Sequence, residues 1–272
     1  MIDLHLHILY DLDDGAVNEE MTLNMLRIAA DDGIRAIVAT PHYICGASRY
    51  DCKKMVQAYN RASELIEKHN LQIRLYMGNE VFLDEYTLDS INNRKCHTLA
   101  GTRYVLIELP MRVFALNTQN LIYGIINSGY IPILAHPERY LQIQQDMGIL
   151  RRLISAGCIT QINSLSIRGV TGKKAYDTAR KILKSNMGHL VATDAHSHRL
   201  RSPVLKECFE TVKDWIGEEK AVKIFYKNTE TILEDRELEL DPVIDIKRNS
   251  LFSILKGWGA ALLVRIMGGH KG

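Results

Sequence analysis

Short apolar runs alternate with longer amphipathic ones along most of the chain, and this alternation narrows the possible fold more than any other feature. About seven strand-like segments lie near residues 2–6, 34–39, 71–77, 104–108, 131–135, 158–162 and 189–193, each bounded by turn-forming residues. Between them run amphipathic stretches with helical periodicity, among them Glu19 to Asp32, Asp51 to His69, Asn117 to Ser128 and Lys173 to Asn186. Strand alternating with helix predicts an α/β fold with a mainly parallel sheet. In a barrel of this kind the carboxyl ends of the strands converge on one mouth, so residues far apart in sequence meet there.

Nearly every predicted strand ends in a residue able to bind a metal. The first carries His5 and His7, two residues apart and therefore on one face of a strand, followed by an acidic turn in which Asp14 offers a further oxygen. Others end in Thr40-Pro41-His42, Gly78-Asn79-Glu80, Leu106-Ile107-Glu108, Ala135-His136 and Thr193-Asp194-Ala195-His196. An HxH pair alone is weak evidence, but ligands at one strand end after another form a single cluster if the strands share a mouth. Burying so many ionisable groups without a cation would cost several kcal/mol or more per unpaired charge. Imidazole and carboxylate without thiolate suits manganese, iron or zinc, and the carboxylate share favours the harder end of that range. Asp11 and Asp13 are alternatives to Asp14, and His198 to His196; these read as solvated or as supports outside the ligand set. His69, His97, His189 and His270 read as hydrogen-bonded surface residues, and Glu108 has the alternative of pairing with Arg139 or Arg103.

The 272 residues, 46% of them hydrophobic, suffice for one large core, and barrels of this class commonly form one domain of about this length. A formal net charge of +2, with no basic stripe interleaved with aromatics, gives no reason to propose nucleic-acid binding. The N-terminus enters a ligand-bearing strand directly, which leaves no room for a cleavable signal and predicts a cytoplasmic protein. The five cysteines are scattered, with no CxxC, and read as reduced thiols. None of Cys45, Cys52, Cys96, Cys158 and Cys208 has an arginine six residues on, as a Cys-x5-Arg phosphate loop requires; Cys96 comes nearest, with Arg103 at seven.

Taken together and in this order, the HxH pair, Thr40-Pro41-His42, Gly78-Asn79-Glu80, Leu106-Ile107-Glu108, His136-Pro137-Glu138-Arg139-Tyr140 and Thr193-Asp194-Ala195-His196 resemble the PHP (polymerase and histidinol phosphatase) superfamily. Within it the chain is most similar to the bacterial manganese-dependent tyrosine phosphatases of capsule and exopolysaccharide operons, from residue 1 to about residue 240. The resemblance implies a distorted (β/α)7 TIM-like barrel holding a three-metal cluster at its C-terminal mouth. It makes His5, His7, Asp14, His42, Glu80, Glu108, His136, Asp194 and His196 the metal ligands, with Glu80 the natural bridge. It also implies the substrate, a phosphotyrosine-containing protein such as the tail of a membrane tyrosine kinase.

The chemistry expected of such a cluster is phosphomonoester hydrolysis by metal-bound hydroxide, since divalent ions bring the pKa of bound water from about 16 toward 7 and hold attacking and leaving oxygens. No phosphocysteine is expected, and no general acid stands out. Arg139 is the candidate phosphate clamp because its planar fork grips two oxygens; the alternative is a rim ion pair with Glu138. The segment from Tyr43 to Tyr50 follows His42 and should form part of the mouth. Two other functions share these motifs, a small-molecule phosphatase of the histidinol phosphatase type and a noncatalytic metal-stabilised interaction module. The intact set of ligand positions argues against the second. Residues 1–245 are expected to form the phosphatase unit, with 246–272 a basic amphipathic extension. There Leu251, Ile254, Leu255, Trp258, Leu262 and Ile266 recur at helical spacing among Lys247, Arg248, Lys256, Arg265, His270 and Lys271. The extension reads either as a helix packed on the barrel or at a subunit contact, an oligomer being left open, or as a peripheral membrane anchor.

Overall fold

The computed structural model describes residues 1–46 and 51–244. Among the described residues nine strands, all paired in parallel, make two sheets. β1 (Ile2–Leu6), β2 (Ala36–Ala39) and β4 (Arg74–Met77) form the first, in the order β1-β2-β4. The second has the order β3-β5-β6-β7-β8-β9, built from β3 (His42–Tyr43), β5 (Glu80–Phe82), β6 (Tyr104–Glu108), β7 (Ile131–Ala135), β8 (Ile159–Asn163) and β9 (Leu190–Ala192). The expected α/β alternation is therefore present, and every expected strand has a counterpart.

What the periodicity missed is that two strands resume after a break. Ala39 and His42 are separated by Thr40 and Pro41, and Met77 and Glu80 by Gly78 and Asn79. Proline has no N–H to give to a ladder. Gly78 sits so close to its neighbours that a Cβ there would lie 2.9 Å from both Leu99 and Val38. Each break starts a new two- or three-residue strand, and these carry His42 and Glu80, which face each other in register.

Apart from β4, whose Arg74 is exposed and whose other residues are half-buried, the strands are largely buried on both faces, which explains their nearly continuous apolar sequences. Alternate residues feed two cores: Ala36, Val38, Tyr104, Leu106 and Ile133 pack in one, while Ile37, Ala39, Val105, Ile107 and Leu134 pack in the other, against the helices. Three of the longer helices start where a side chain caps them. Asn18 accepts from Met21 N ahead of Glu19–Asp31, Asp51 from Lys53 N ahead of Cys52–Lys68, and Asp146 from Gly148 N ahead of Met147–Ser155. Thr118–Asn127, Lys173–Lys184 and Lys206–Ile216 complete the longer helices. The segment 235–244 is pinned back by Lys223 Nζ to Asp241 (2.7 Å), Asn186 Nδ2 to Pro242 O (2.9 Å) and Ile244 N to Ser185 O (2.9 Å). Residues 246–272 lie outside the described residues. Among those described, no helix is long and apolar enough to cross a membrane.

Candidate metal centre

Parallel strands running one way deliver their last residues to one end, and there the expected ligands meet. His5 and His7, both fully buried, point their Nε2 atoms together at 3.3 Å. Each lies 3.3 Å from Glu80 Oε2, and they stand 3.6 and 3.5 Å from Asp194 Oδ1. His42 places Nδ1 3.1 Å from Glu80 Oε2 and 3.9 Å from Glu108, and Nε2 3.4 Å from Asp14. His196 Nε2 reaches Asp14 at 3.3 Å, and His136 Nε2 reaches Glu80 Oε1 at 3.0 Å and Glu108 at 3.6 Å. Three overlapping groups have the spacing of a cation site: His7, Asp14, His42 and His196; His5, His7, Glu80 and Asp194; and His42, Glu80 and Glu108. Glu80 is shared by two of them, as its two oxygens permit.

One atom tests the fit. Glu80 Oε2 is buried and has no hydrogen-bond partner, although nitrogens of His5, His7 and His42 ring it. An orphaned buried carboxylate oxygen costs several kcal/mol, and a divalent cation among these nitrogens removes the cost. The backbone is bent to the same end: His136 (φ 35°) and Asp194 (φ 50°) adopt left-handed conformations that cost non-glycine residues of order 1 kcal/mol or more each.

The candidate ligands are held from behind. Gln161 Oε1 is 2.9 Å from His5 Nδ1, which leaves Nε2 to face inward. Asp13 does the same for His7, its Oδ2 2.6 Å from Nδ1, while also accepting from the backbone N–H groups of His42 and Gly15, each at 2.9 Å. A Cβ on Gly15 would lie 2.3 Å from His7 O, so only glycine lets this acidic turn close on the strand. Asp3, also buried, accepts from Thr193 Oγ1 (2.5 Å) and N (3.1 Å), fixing β1 beside the strand end that supplies Asp194 and His196. Asn163 Nδ2 donates to Asp194 Oδ2 at 2.7 Å.

Electrostatics follow from crowding. Burial, and then the neighbouring Glu80, push the Glu108 carboxyl up to about 7. Burial works against protonation of His42, yet contacts with Asp14 and Glu80 outweigh it and raise the imidazole to about 11. Burial likewise opposes the charged form of Asp13, but the His7 imidazole prevails and holds the carboxyl down at about 2.

Several expectations need correction. Arg139 does not pair with Glu138; its Nη1 lies 3.0 Å from Asp194 Oδ2, and Glu138 is buried and accepts from Asn163 N. Arg103 turns to Asp235 at 3.3 Å, so Glu108 has neither arginine as partner. His189 is buried, not at the surface: its Nδ1 accepts from Thr160 N at 3.0 Å. Tyr43 points inward, its hydroxyl donating to Ser90, and residues 47–50 of the expected mouth segment lie outside the described residues. Asp11 and His198, read as solvated or as supports, need no such correction: Asp11 is exposed, and neither belongs to a cation-sized group among the described residues. Sequence reasoning missed Arg201, whose Nη2 lies 3.2 Å from Asp194 Oδ1 and whose Nη1 lies 3.9 Å from Asp14. The only signal was its place five residues after the last ligand. Arg139 and Arg201 remain 30% and 35% exposed and mark, with Asp14, the open side of the cluster. Burial raises the thiols of Cys96, Cys158 and Cys208 to about 12, which keeps them protonated.

A parallel α/β fold with histidines and carboxylates gathered at its strand ends has the build of a metal-dependent hydrolase. The chain belongs to the family described as capsular polysaccharide synthesis, CpsB/CapC, whose model matches residues 1–234. It is 32% identical to the putative tyrosine-protein phosphatase CapC of Staphylococcus aureus, over 94% of this chain and the whole of that one. It is 30% identical to the tyrosine-protein phosphatase YwqE of Bacillus subtilis, over 93% and 99% of the two chains. Among solved structures, one reported for YwqE from Bacillus subtilis and CpsB from Streptococcus pneumoniae, described as unique metal-dependent tyrosine phosphatases, superposes with a TM-score of 0.86. That match has 30% identity and covers 91% of this chain and 100% of the other.

Proposed function

We propose that the protein is a metal-dependent protein-tyrosine phosphatase, a phosphoric monoester hydrolase that forms no phosphocysteine. The observation that carries this is the orphaned Glu80 Oε2 within a ring of imidazoles at the open end of the strands. His5, His7, Asp14, His42, Glu80, Glu108, His136, Asp194 and His196 would hold a cluster of three cations, of which manganese fits the donor set best and iron or zinc next. Divalent cations bound there would lower the pKa of bound water and offset charge on the phosphoryl oxygens. Arg139 would grip the phosphoryl group from the open side, with its guanidinium steadied on Asp194, and Arg201 faces the same space. Asn163, Gln161 and Asp13 keep the inward faces of Asp194, His5 and His7 fixed.

The two sheets are best understood as one distorted (β/α)7 barrel. In support, Leu6 bridges to Ala195, His7 N donates to Ala195 O and Asp194 N to His5 O, each at 2.8 Å, across the first and last strands. Thr40 N to Leu6 O (2.9 Å) and Glu80 N to Pro41 O (3.2 Å) carry the pairing across the two breaks. The substrate would be the phosphorylated tail of a membrane tyrosine kinase of capsule synthesis, met at the cytoplasmic face. Residues 246–272, rich in cations and free of acids, would serve as a peripheral anchor outside the phosphatase unit of residues 1–245.

Steady-state kinetics on a phosphotyrosyl peptide and on histidinol phosphate, both with added manganese, test the substrate class. The peptide is expected to have the higher kcat/KM; a preference for histidinol phosphate would overturn the reading.

A further inference from the structure

Of the twelve large apolar side chains left exposed among the described residues, six lie on segments that follow strand ends: Val17, Ile44, Tyr86, Val113, Leu116 and Leu200. All of these segments therefore border the open end of the metal cluster. A single exposed leucine is ordinary, but a set around one opening marks an interaction surface.

The segment after Glu108 is built for presentation. Leu109 N donates to Tyr140 Oη (3.0 Å), Leu141 N to Met111 O (3.0 Å) and Phe114 N to Gln142 Oε1 (2.8 Å), while the Phe114 ring meets Tyr140 edge-on at 5.4 Å. These contacts tie its base to the residues that directly follow Arg139. Its tip carries Val113, 68% exposed, and Leu116, fully exposed. Holding apolar side chains in water on a fixed loop is the arrangement a recognition element needs, since little ordering entropy remains to be lost on binding. Arg112, next to Val113, is exposed and has no ion pair among the described residues. On the segment that follows β9, Leu200 is 80% exposed between Arg199 and Arg201. Apolar tips with guanidinium neighbours thus stand on two sides of the cluster.

We propose that Val113 and Leu116 form a docking lip for apolar side chains flanking the phosphotyrosine of a protein substrate, with Arg112 facing that segment's negative charge. The proposal rests on the phosphatase reading and adds to it which part of the chain selects a peptide. Charge complementarity favours this occupant: a phosphorylated segment is anionic, and Arg112 stands beside Val113 as Arg199 and Arg201 stand beside Leu200. A small phosphomonoester gripped at Arg139 has no use for the lip.

The test compares the wild-type chain with a Val113→Ser, Leu116→Ser double variant, both loaded with manganese. The substrates are p-nitrophenyl phosphate, a phosphotyrosyl peptide with leucine flanks and the same peptide with glycine and serine flanks. The double variant is expected to lose about tenfold in kcat/KM on the leucine-flanked peptide, equivalent to about 1.4 kcal/mol, chiefly through KM. The other two substrates are expected to stay within about twofold of wild type. Undiminished preference for the leucine-flanked peptide would overturn the proposal. An equal fall on all three substrates would do the same and make the loop a support of the site. A change in sedimentation with peptide kinetics intact would assign the lip to a second copy of the chain, and loss of adsorption to anionic vesicles with peptide kinetics intact would assign it to a membrane. No wild-type turnover on any of the three would overturn the phosphatase reading, and this proposal with it.

Discussion

Replacing Asp13 with alanine tests whether a residue that binds no cation sets the metal affinity. Its side chain is only 6% exposed, and its two oxygens serve three donors: the His7 ring, His42 N and Gly15 N. Alanine leaves His7 free to rotate or to place its proton on Nε2, the nitrogen that must face the cations. Losing a partner of this kind typically costs 10- to 100-fold in metal affinity, about 1.4–2.8 kcal/mol. The stranded backbone N–H groups add about 1–3 kcal/mol each to the cost in fold stability where they stay dry. Asp13→Asn, which keeps an acceptor oxygen for one backbone donor, is expected to fall between wild type and alanine. The exposed Asp11 supplies the control, and Asp11→Ala is expected to bind as wild type does. The assay is calorimetric titration of the chelated proteins with manganese, with thermal unfolding alongside. An Asp13→Ala protein that binds manganese with wild-type affinity would refute the argument that this carboxylate sets His7.

Arg139→Ala is expected to lower kcat for an aryl phosphate by about 30- to 1,000-fold, the equivalent of about 2–4 kcal/mol of transition-state stabilisation. Metal content should hold, because Asp194 keeps Asn163 and Arg201; kinetics and elemental analysis on one preparation check both. His189 gives a pH effect remote from the cluster. Burial holds its imidazole down at about 4, with Lys223 acting in the same direction and Asp241 against it. The folded chain keeps it neutral while the unfolded chain protonates near 6.5, so its contribution is whole above 6.5 and falls away as pH drops toward 4, by about 3 kcal/mol in all. Denaturant unfolding between pH 7 and pH 4 should show that slope, and His189→Gln should flatten it.

The sequence made the site more legible than the strands that carry it. His5 and His7 two apart, and His136 and Asp194 at the ends of apolar runs, were readable because a parallel strand must end where its ligands are needed. The two short strands beyond the breaks were not, since Thr40-Pro41 and Gly78-Asn79 close the runs near 34–39 and 71–77 and the two or three residues that follow are too few to show a period; the close approach at Gly78 and the missing N–H of Pro41 show why the chain bends there. Partners across the fold were hidden for another reason. Arg139 and Arg201 converge on Asp194, and Gln161 lies against His5, through contacts between different strand ends that no local pattern encodes. His189 looked like a surface histidine because its burial depends on Thr160 and Asn228, distant in sequence.

Chelation followed by add-back decides most directly whether the gathered histidines and carboxylates are the reaction centre. Phosphate release from a phosphotyrosyl peptide should vanish when the protein is verified metal-free, return with manganese, and survive each single change of Cys45, Cys52, Cys96, Cys158 and Cys208 to serine. Full turnover by the metal-free protein, or its loss in a folded, metal-loaded cysteine variant, would contradict the account.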